Sequence, residues 1–315
     1  EKGHKIVPSS SLLPDDPSVL LTTAGMQQFK AYLTGVADPM KAFESKTVCS
    51  IQKCFRTTDI DSVGDFSHVT LIEMTGNFSF GDYFKEKAIP MSFEFLTSEE
   101  GLDLDSQRIY TTCFKGDSEV PRDEEAIKIW QEQFAKDGIN AKVGERIFLY
   151  GRESNWWEAG PGPCGPDAEI FYDTGRLHDK KFGETCHPQC DCGRFMEIGN
   201  DVFVQYNKTK EGAYEPLIQR SIDNGRGFER LAMVTQGKDN IFETDLFSPI
   251  VDQIKEVSHV LDQKVIRVLA DHLRSSIFLI ADGIRPSNKE AGYILRRLLR
   301  RVLAYSSKYD IHADL

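Results

Sequence analysis

The 315-residue chain has no long apolar run. Stretches such as Ile277–Ala281 fall far short of the ~20 residues a membrane-spanning helix needs. No positively charged leader followed by an apolar core opens it, so no secretory signal is expected. Internal repeats and low-complexity tracts are missing. Apolar residues at 40% and charged residues at 28% exclude the disordered and fibrous classes, and a soluble protein is expected. Cysteine is sparse, at seven residues, and Cys49, Cys54, Cys113 and Cys164 are scattered among apolar or glycine-rich stretches. That distribution excludes a disulfide framework and implies a reducing, cytoplasmic setting. Basic residues are outnumbered, 38 Lys+Arg against 49 Asp+Glu for a net charge of −11, which argues against a general nucleic-acid coat. The deficit is uneven: residues 264–315 hold ten Lys/Arg against five Asp/Glu, a basic tail on an acidic body. At roughly 150 residues per domain, the length suggests about two domains. The start at Glu1-Lys-Gly-His, without Met, suggests a fragment of a longer chain.

Patterning gives a coarse architecture. Pro8 to Pro17 reads as a polar loop, and Val19-Leu-Leu-Thr-Thr23 as a short buried strand. Val48–Phe55 and Val69–Met74 read as two strands joined by a polar loop from Arg56 to Ser67, and a long ordered loop is a common place for function. Glu124–Lys136 has Ala126, Ile129, Trp130 and Phe134 at helical spacing with Gly138 as a stop. Strands are expected at Glu169–Asp173, Val202–Tyr206 and up to Asp223, then a helix from Phe228 to about Gly237. Beyond residue 247 the pattern turns to amphipathic helices, Val265–Ala281 and Gly292–Tyr305. The fold class is therefore α+β, an antiparallel sheet flanked by helices over 1–247, followed by the start of an all-helical domain over 248–315.

Arg56 ends the first strand of the hairpin and Glu73 lies near the end of the second. A guanidinium there can grip a phosphate bidentately, although a lone Arg at a strand end is ordinarily a solvated surface residue. The strand-to-helix junction Asp223-Asn-Gly-Arg-Gly-Phe-Glu-Arg230 lets backbone approach a ligand closely, yet lacks the third glycine of a dinucleotide fingerprint.

Together the two pieces resemble the second and third signature motifs of class II aminoacyl-tRNA synthetases. Five blocks narrow the resemblance to the alanyl-tRNA synthetase family: Thr22–Lys30, Gln52–Thr57, Glu73–Lys85, Gly162–Pro166 and Ala281–Asn288. The resemblance spans nearly the whole chain. It implies activation of alanine with ATP and Mg²⁺ to alanyl-adenylate, then transfer to the 3′ end of tRNA-Ala. Arg56 matches the motif-two arginine on the α-phosphate, and Arg230 the motif-three arginine that packs against adenine and the γ-phosphate side. Fixed cations there stabilise charge that develops on the α-phosphoryl oxygens. Glu73 matches a partner for the adenine amino group or a metal. Ile72 stands where an aromatic usually precedes that Glu, so stacking on adenine gives way to apolar contact. Asp223 matches the residue that pairs with the substrate α-ammonium, while Trp157, Asn200, Val202 and Gly225 match the alanine pocket. Where many relatives read Ile-Trp-Asn this chain reads Ile198-Gly199-Asn200, which is expected to loosen local packing. A pocket alone rejects Gly or Ser by only ~1–3 kcal/mol, so an editing domain is expected beyond Leu315.

Cys186-His-Pro-Gln-Cys190-Asp-Cys192 places three thiols within seven residues. They suit a structural Zn²⁺, with His178 or His187 as the open choice for a fourth ligand, or else form a loop insertion with incidental thiols. On the tail, Arg296, Arg297, Arg300 and Arg301 surround an apolar helix face. The resemblance makes them and Asn288 contacts to the tRNA acceptor stem, where phosphates supply affinity and an Asn reads the groove edge. Two rival readings stand beside this one: a paralogue that charges a carrier protein, and a catalytically silent tRNA- or zinc-binding module. Oligomeric state is left open.

Overall fold

A long loop over residues 56–70 joins two β-branched and aromatic runs into a hairpin, β2 (Thr47–Phe55) and β3 (Leu71–Phe80). The computed structural model describes residues 2–14, 19–158, 160–258, 262–309 and 311, so the end of the Pro8–Pro17 loop lies outside the described residues. The chain divides into two compact units: Glu1–Val7 with Phe29–Ser50 and Thr75–Arg226, and Pro8–Gln28 with Ile51–Met74 and Gly227–Leu315. The units are interleaved along the sequence because β2, β3 and the junction after residue 226 each carry the chain from one to the other.

The first unit is built on a sheet. Besides the near halves of β2 and β3 it holds β1 (Lys5–Ile6), β4 (Ile109–Phe114), β5 (Ile147–Tyr150), β6 (Trp156–Glu158), β7 (Gly162–Asp173), β8 (Phe195–Lys208) and β9 (Tyr214–Gly227). The strand order is β1-β2-β3-β9-β8-β7-β4-β5, with β6 paired to β7. The β7–β8–β9 centre and the β4–β7 pair are antiparallel, while β1–β2 and β4–β5 are parallel. Two short helices, α1 (Lys30–Leu33) and α2 (Pro39–Phe43), precede β2; Asp38 caps α2 by accepting from the Met40 amide, and Pro39 fits the first turn. Phe29, Tyr32, Phe43, Phe78 and Phe80 interlock around them, with the Phe29 and Phe78 rings 4.5 Å apart. Two longer helices follow, α3 (Lys85–Thr97) and α4 (Glu124–Lys136). Helix α4 has the expected bounds because its signals agree: Asp123 accepts from the Ala126 amide at the start, and Gly138 turns left-handed (φ 72°) at the end. The Phe93 ring packs 5.4 Å from Phe134 and 6.3 Å from Trp130.

The second unit is mostly helical: α5 (Phe228–Thr235), α6 (Ser248–Glu256), α7 (Gln263–Ala281) and α8 (Glu290–Lys308). Its core gathers Leu12, Leu21, Phe55, Ile60, Leu71, Leu279, Leu295 and Leu298. Fully burying one such side chain contributes roughly 1.5–3 kcal/mol, which explains why the α7 and α8 periodicity was readable from sequence. The expected strand at Val19–Thr23 does not form. Leu21 and Thr22 are buried, and the segment is held by single backbone bonds, Thr22 N–H to Leu12 O and Phe55 N–H to Thr22 O, and by the Thr22 hydroxyl, which donates to Ser11 O at 2.8 Å. No described helix is long and apolar enough to cross a membrane.

Candidate active site

The expected amino-acid pocket residues lie in the first unit, on one face of the β7–β8–β9 centre. The register sets Asp167 opposite Val202 and Val202 opposite Asp223; one step along, Glu169 faces Asn200 and Asn200 faces Gly225. Because side chains alternate along a strand, Asp167, Glu169, Asn200, Val202, Asp223 and Gly225 share that face. Trp157 pairs with Gly165, on the side of β7 that carries Asp167. Gly165 is obligatory here: a Cβ would lie 1.9 Å from the Phe203 carbonyl oxygen, where β7 and β8 close in beside a bulge.

Asp167 was not singled out from sequence, and it organises this face. Its carboxylate accepts from Asn200 Nδ2 at 3.0 Å and Asn155 Nδ2 at 3.2 Å; Asn155 also donates to Thr112 Oγ1 at 2.7 Å. The clamp fixes the Asn200 amide so that Oδ1 is buried with no hydrogen-bond partner among the described residues. Burial, with the charges of Asp167 and Asp201, pushes the Asp223 carboxyl up to about 7, and burial raises Asp167 to about 7 as well.

The opposite face explains why the junction reads Asn-Gly-Arg-Gly. Asn224 and Arg226 alternate away from Asp223 and reach α3: Arg226 donates to Ser92 Oγ at 2.6 Å and to Asn77 Oδ1 at 3.1 Å, and lies 3.5 Å from Asp201. Ser92 donates to Asp201 at 2.8 Å. Gly199 belongs to this face, and a Cβ there would come 2.8 Å from the Arg226 Cγ. The space expected to be loosened by the missing Trp is therefore taken by the Arg226 stem.

The expected nucleotide residues lie in the second unit. Arg56 is half-buried at the end of β2, its backbone N–H bonded to Thr70 O at 2.9 Å across the neck of the loop. Helix α7 braces that loop. Asp271 accepts from the Thr70 amide at 2.7 Å and hydroxyl at 2.8 Å, and Arg267 donates to Gly64 O and Asp65 O. Within the loop His68 is bonded to Asp65, which raises the imidazole pKa. Glu73 and Ile72 are half-buried on β3. Arg274 of α7 joins the parts, donating to Glu73 at 3.1 Å, Glu229 at 2.9 Å and Leu71 O at 3.0 Å. Glu229 in turn accepts the Glu73 amide, and burial lifts its carboxyl to about 7. Glu73, with a side chain 27% exposed against 1% for Glu229, is the accessible carboxylate of the two. Arg230 is half-buried in the first turn of α5, and its charge acts on His68. Sequence reasoning passed over Arg274, because an Arg within an amphipathic helix carries no local signal.

On the basic helix, Arg297 and Arg301 both pair with Asp61, at 2.9 and 3.0 Å, and Arg296 donates to Asn288. Arg296, Arg300 and Asn288 are exposed. All seven cysteines are free thiols. The Cys186, Cys190 and Cys192 cluster gathers His178, not His187, whose Nδ1 bonds with Tyr150 Oη at 3.1 Å.

A mixed, largely antiparallel sheet with a strand–loop–strand arginine and a Gly-Phe-Glu-Arg strand-to-helix junction defines the class II aminoacyl-tRNA synthetase type of protein. The sequence model of the family described as tRNA synthetases class II (A) matches residues 1–315, and the chain belongs to that family. More particularly, it is 43% identical to an alanine–tRNA ligase of Borrelia hermsii over 99% of this chain and 52% of that protein, and equally to one of Treponema denticola. An alanine–tRNA ligase of Carboxydothermus hydrogenoformans is 46% identical over 98% of this chain and 34% of its own length. The chain thus spans from a third to a half of the length of these curated relatives. A weaker likeness, with a TM-score of 0.38 and 13% identity over 69% of this chain and 53% of that one, is to the crystal structure of an apo histidyl-tRNA synthetase from S. aureus.

Proposed function

We propose that this chain carries the amino-acid activation step of an alanine–tRNA ligase, joining alanine to ATP to give alanyl-adenylate and pyrophosphate. The observation that supports it most is the polar cradle on the β7–β8–β9 face. Asp223 supplies a buried carboxylate for the substrate ammonium, and the unpartnered Asn200 Oδ1 supplies a neutral acceptor beside it. Val202 lies directly opposite Asp223 and two residues from Asn200, and Trp157 lies on the Asp167 side, walls that suit a small side chain. Asp167 acts as a positioning residue, holding the Asn200 amide with its oxygen free for the ligand.

With the ammonium held, the substrate carboxylate is already a competent nucleophile and no protein base is needed. A carboxylate oxygen attacks the α-phosphorus, the α–β bridging P–O bond breaks, and pyrophosphate leaves with the electron pair. Arg56 is assigned to the α-phosphoryl oxygens and Arg230 to the adenine and γ-phosphate side, where positioning and electrostatics carry the rate. The accessible Glu73 carboxylate would hold the Mg²⁺ that accompanies ATP, and the ion would neutralise charge on the phosphate oxygens. Ile72 offers apolar contact to the base. Transfer to tRNA-Ala belongs to the same proposal: residues 1–247 do the activation, and 248–315, through Asn288, Arg296, Arg297, Arg300 and Arg301, begin the acceptor-stem contact. ATP–pyrophosphate exchange tests the roles. Arg56→Ala and Asp223→Ala should each abolish alanine-dependent exchange in folded protein, and full activity in either variant refutes its assignment.

A further inference from the structure

The segment between β7 and β8, residues 174–194, has little hydrophobic material to hold it. Its large apolar side chains Leu177 and Phe182 are 88% and 41% exposed, yet Cys190 and Cys192 are buried at 6% and 7%. The base of the loop is closed by Thr174, which bonds through backbone and hydroxyl to Arg194 O, and by the Arg194–Asp173 ion pair at 2.8 Å. Beyond that base His187 bonds Tyr150 and Gln189 bonds Glu169 and Ser154, and the buried thiols call for a fastening of their own.

The thiols and one imidazole supply it. The ligand atoms of His178, Cys186, Cys190 and Cys192 all lie within 4.8 Å of one another. Cys186 Sγ is 3.5 Å from Cys192 Sγ, and Cys190 Sγ is 3.7 Å from His178 Nδ1. A tetrahedral zinc with ordinary Zn–S and Zn–N bonds sets its ligands about 3.8 Å apart for two sulfurs and about 3.6 Å for sulfur and nitrogen. The imidazole is also oriented for the task. Its Nε2 is 2.8 Å from the Gly183 carbonyl oxygen, so the proton resides there and the Nδ1 lone pair faces the sulfurs. Gly183 adopts φ 131°, a left-handed conformation that glycine favours. Cys190 is delivered by a turn, its amide bonded to His187 O at 2.9 Å.

We propose that His178, Cys186, Cys190 and Cys192 bind one structural Zn²⁺ that fastens the 174–194 loop. Three thiolates and one imidazole leave no open position, so the ion is structural. The residue before Cys190 shows what it steadies: Gln189 donates to Glu169 at 2.6 Å and accepts from Ser154 Oγ at 3.1 Å. Glu169 pairs in register with Asn200, so the loop is tied to the edge of the proposed amino-acid face.

The test is metal analysis of the chain purified without chelators, together with Co²⁺ replacement. One zinc per chain is expected. The cobalt form should show the d–d bands of a tetrahedral site and thiolate-to-cobalt charge transfer, and chelation should expose three additional thiols to Ellman's reagent. His178→Ala should weaken cobalt binding by more than the 10–100-fold that loss of an outer-shell partner costs, whereas His187→Ala and Cys49→Ser leave it unchanged. Should His178→Ala fail to fold, the wild-type cobalt spectrum still decides. Metal-free protein without a tetrahedral cobalt spectrum overturns the proposal, as does a Cys186–Cys192 disulfide or a loss in His187→Ala equal to that in His178→Ala.

Discussion

Replacing Asp223 by Asn exposes the conflict between stability and binding at the proposed ammonium site. In the folded protein burial and the charges of Asp167 and Asp201 hold this carboxyl at about 7, against an ordinary value of 3.8. Each unit of difference corresponds to about 1.4 kcal/mol. The folded-state value lies above the unfolded one, so the contribution is fully favourable below about pH 4 and is lost as the pH rises through about 7. By pH 8 the ionised Asp223 disfavours the fold by about 4 kcal/mol. Asparagine has nearly the same shape and no charge to desolvate. Asp223→Asn should therefore be more stable than the parent at pH 8, with an advantage that shrinks by about 2.3 kcal/mol between pH 7 and pH 5. Urea unfolding at a series of pH values measures it. Alanine-dependent exchange should fall in the same protein by at least about 30-fold, because a buried charge partner is lost. A variant equally stable or less stable at pH 8, or a pH-independent difference, shows that Asp223 is not a destabilising buried charge.

Other consequences follow from the same geometry. The KM for alanine should rise about tenfold per pH unit below about 7, as protonation of Asp223 removes the charge that meets the ammonium; a flat profile from pH 7 to 5 places the ammonium elsewhere. Arg274→Met strands the buried Glu229 and should cost about 3–5 kcal/mol in denaturant unfolding. The double variant with Glu229→Gln should recover much of that loss. Asp61→Asn releases Arg297 and Arg301 and should tighten binding of an acceptor-stem RNA hairpin. It should also steepen the dependence of log K on log salt by about 0.7–0.9 for each further phosphate that the freed arginines neutralise, read by fluorescence anisotropy.

Much of this architecture was legible where local signals agree with tertiary demand. Glu124–Lys136 carries an apolar stripe and a stop glycine, and the helix has those bounds. Helix α3 was missed because Pro90 interrupts it, although Ala88, Ile89, Ser92, Phe93 and Leu96 bury one face. Val19–Thr23 misled because an apolar run says nothing about whether a partner strand is present. At the site, strand alternation sets Asn200, Val202, Asp223 and Gly225 on one face, as a shared pocket requires. Asp167 and Arg274 were invisible, since their partners Asn200 and Glu229 are 33 and 45 residues away. The choice of His178 over His187 likewise depended on folding, because both lie within reach of the thiols by sequence.

Amino-acid-dependent ATP–pyrophosphate exchange, run with Mg²⁺ across the proteinogenic amino acids, tests the central proposal most directly. Alanine should give the dominant signal, with minor signals from serine and glycine. Exchange led by another amino acid, or none at all from well-folded protein, contradicts it.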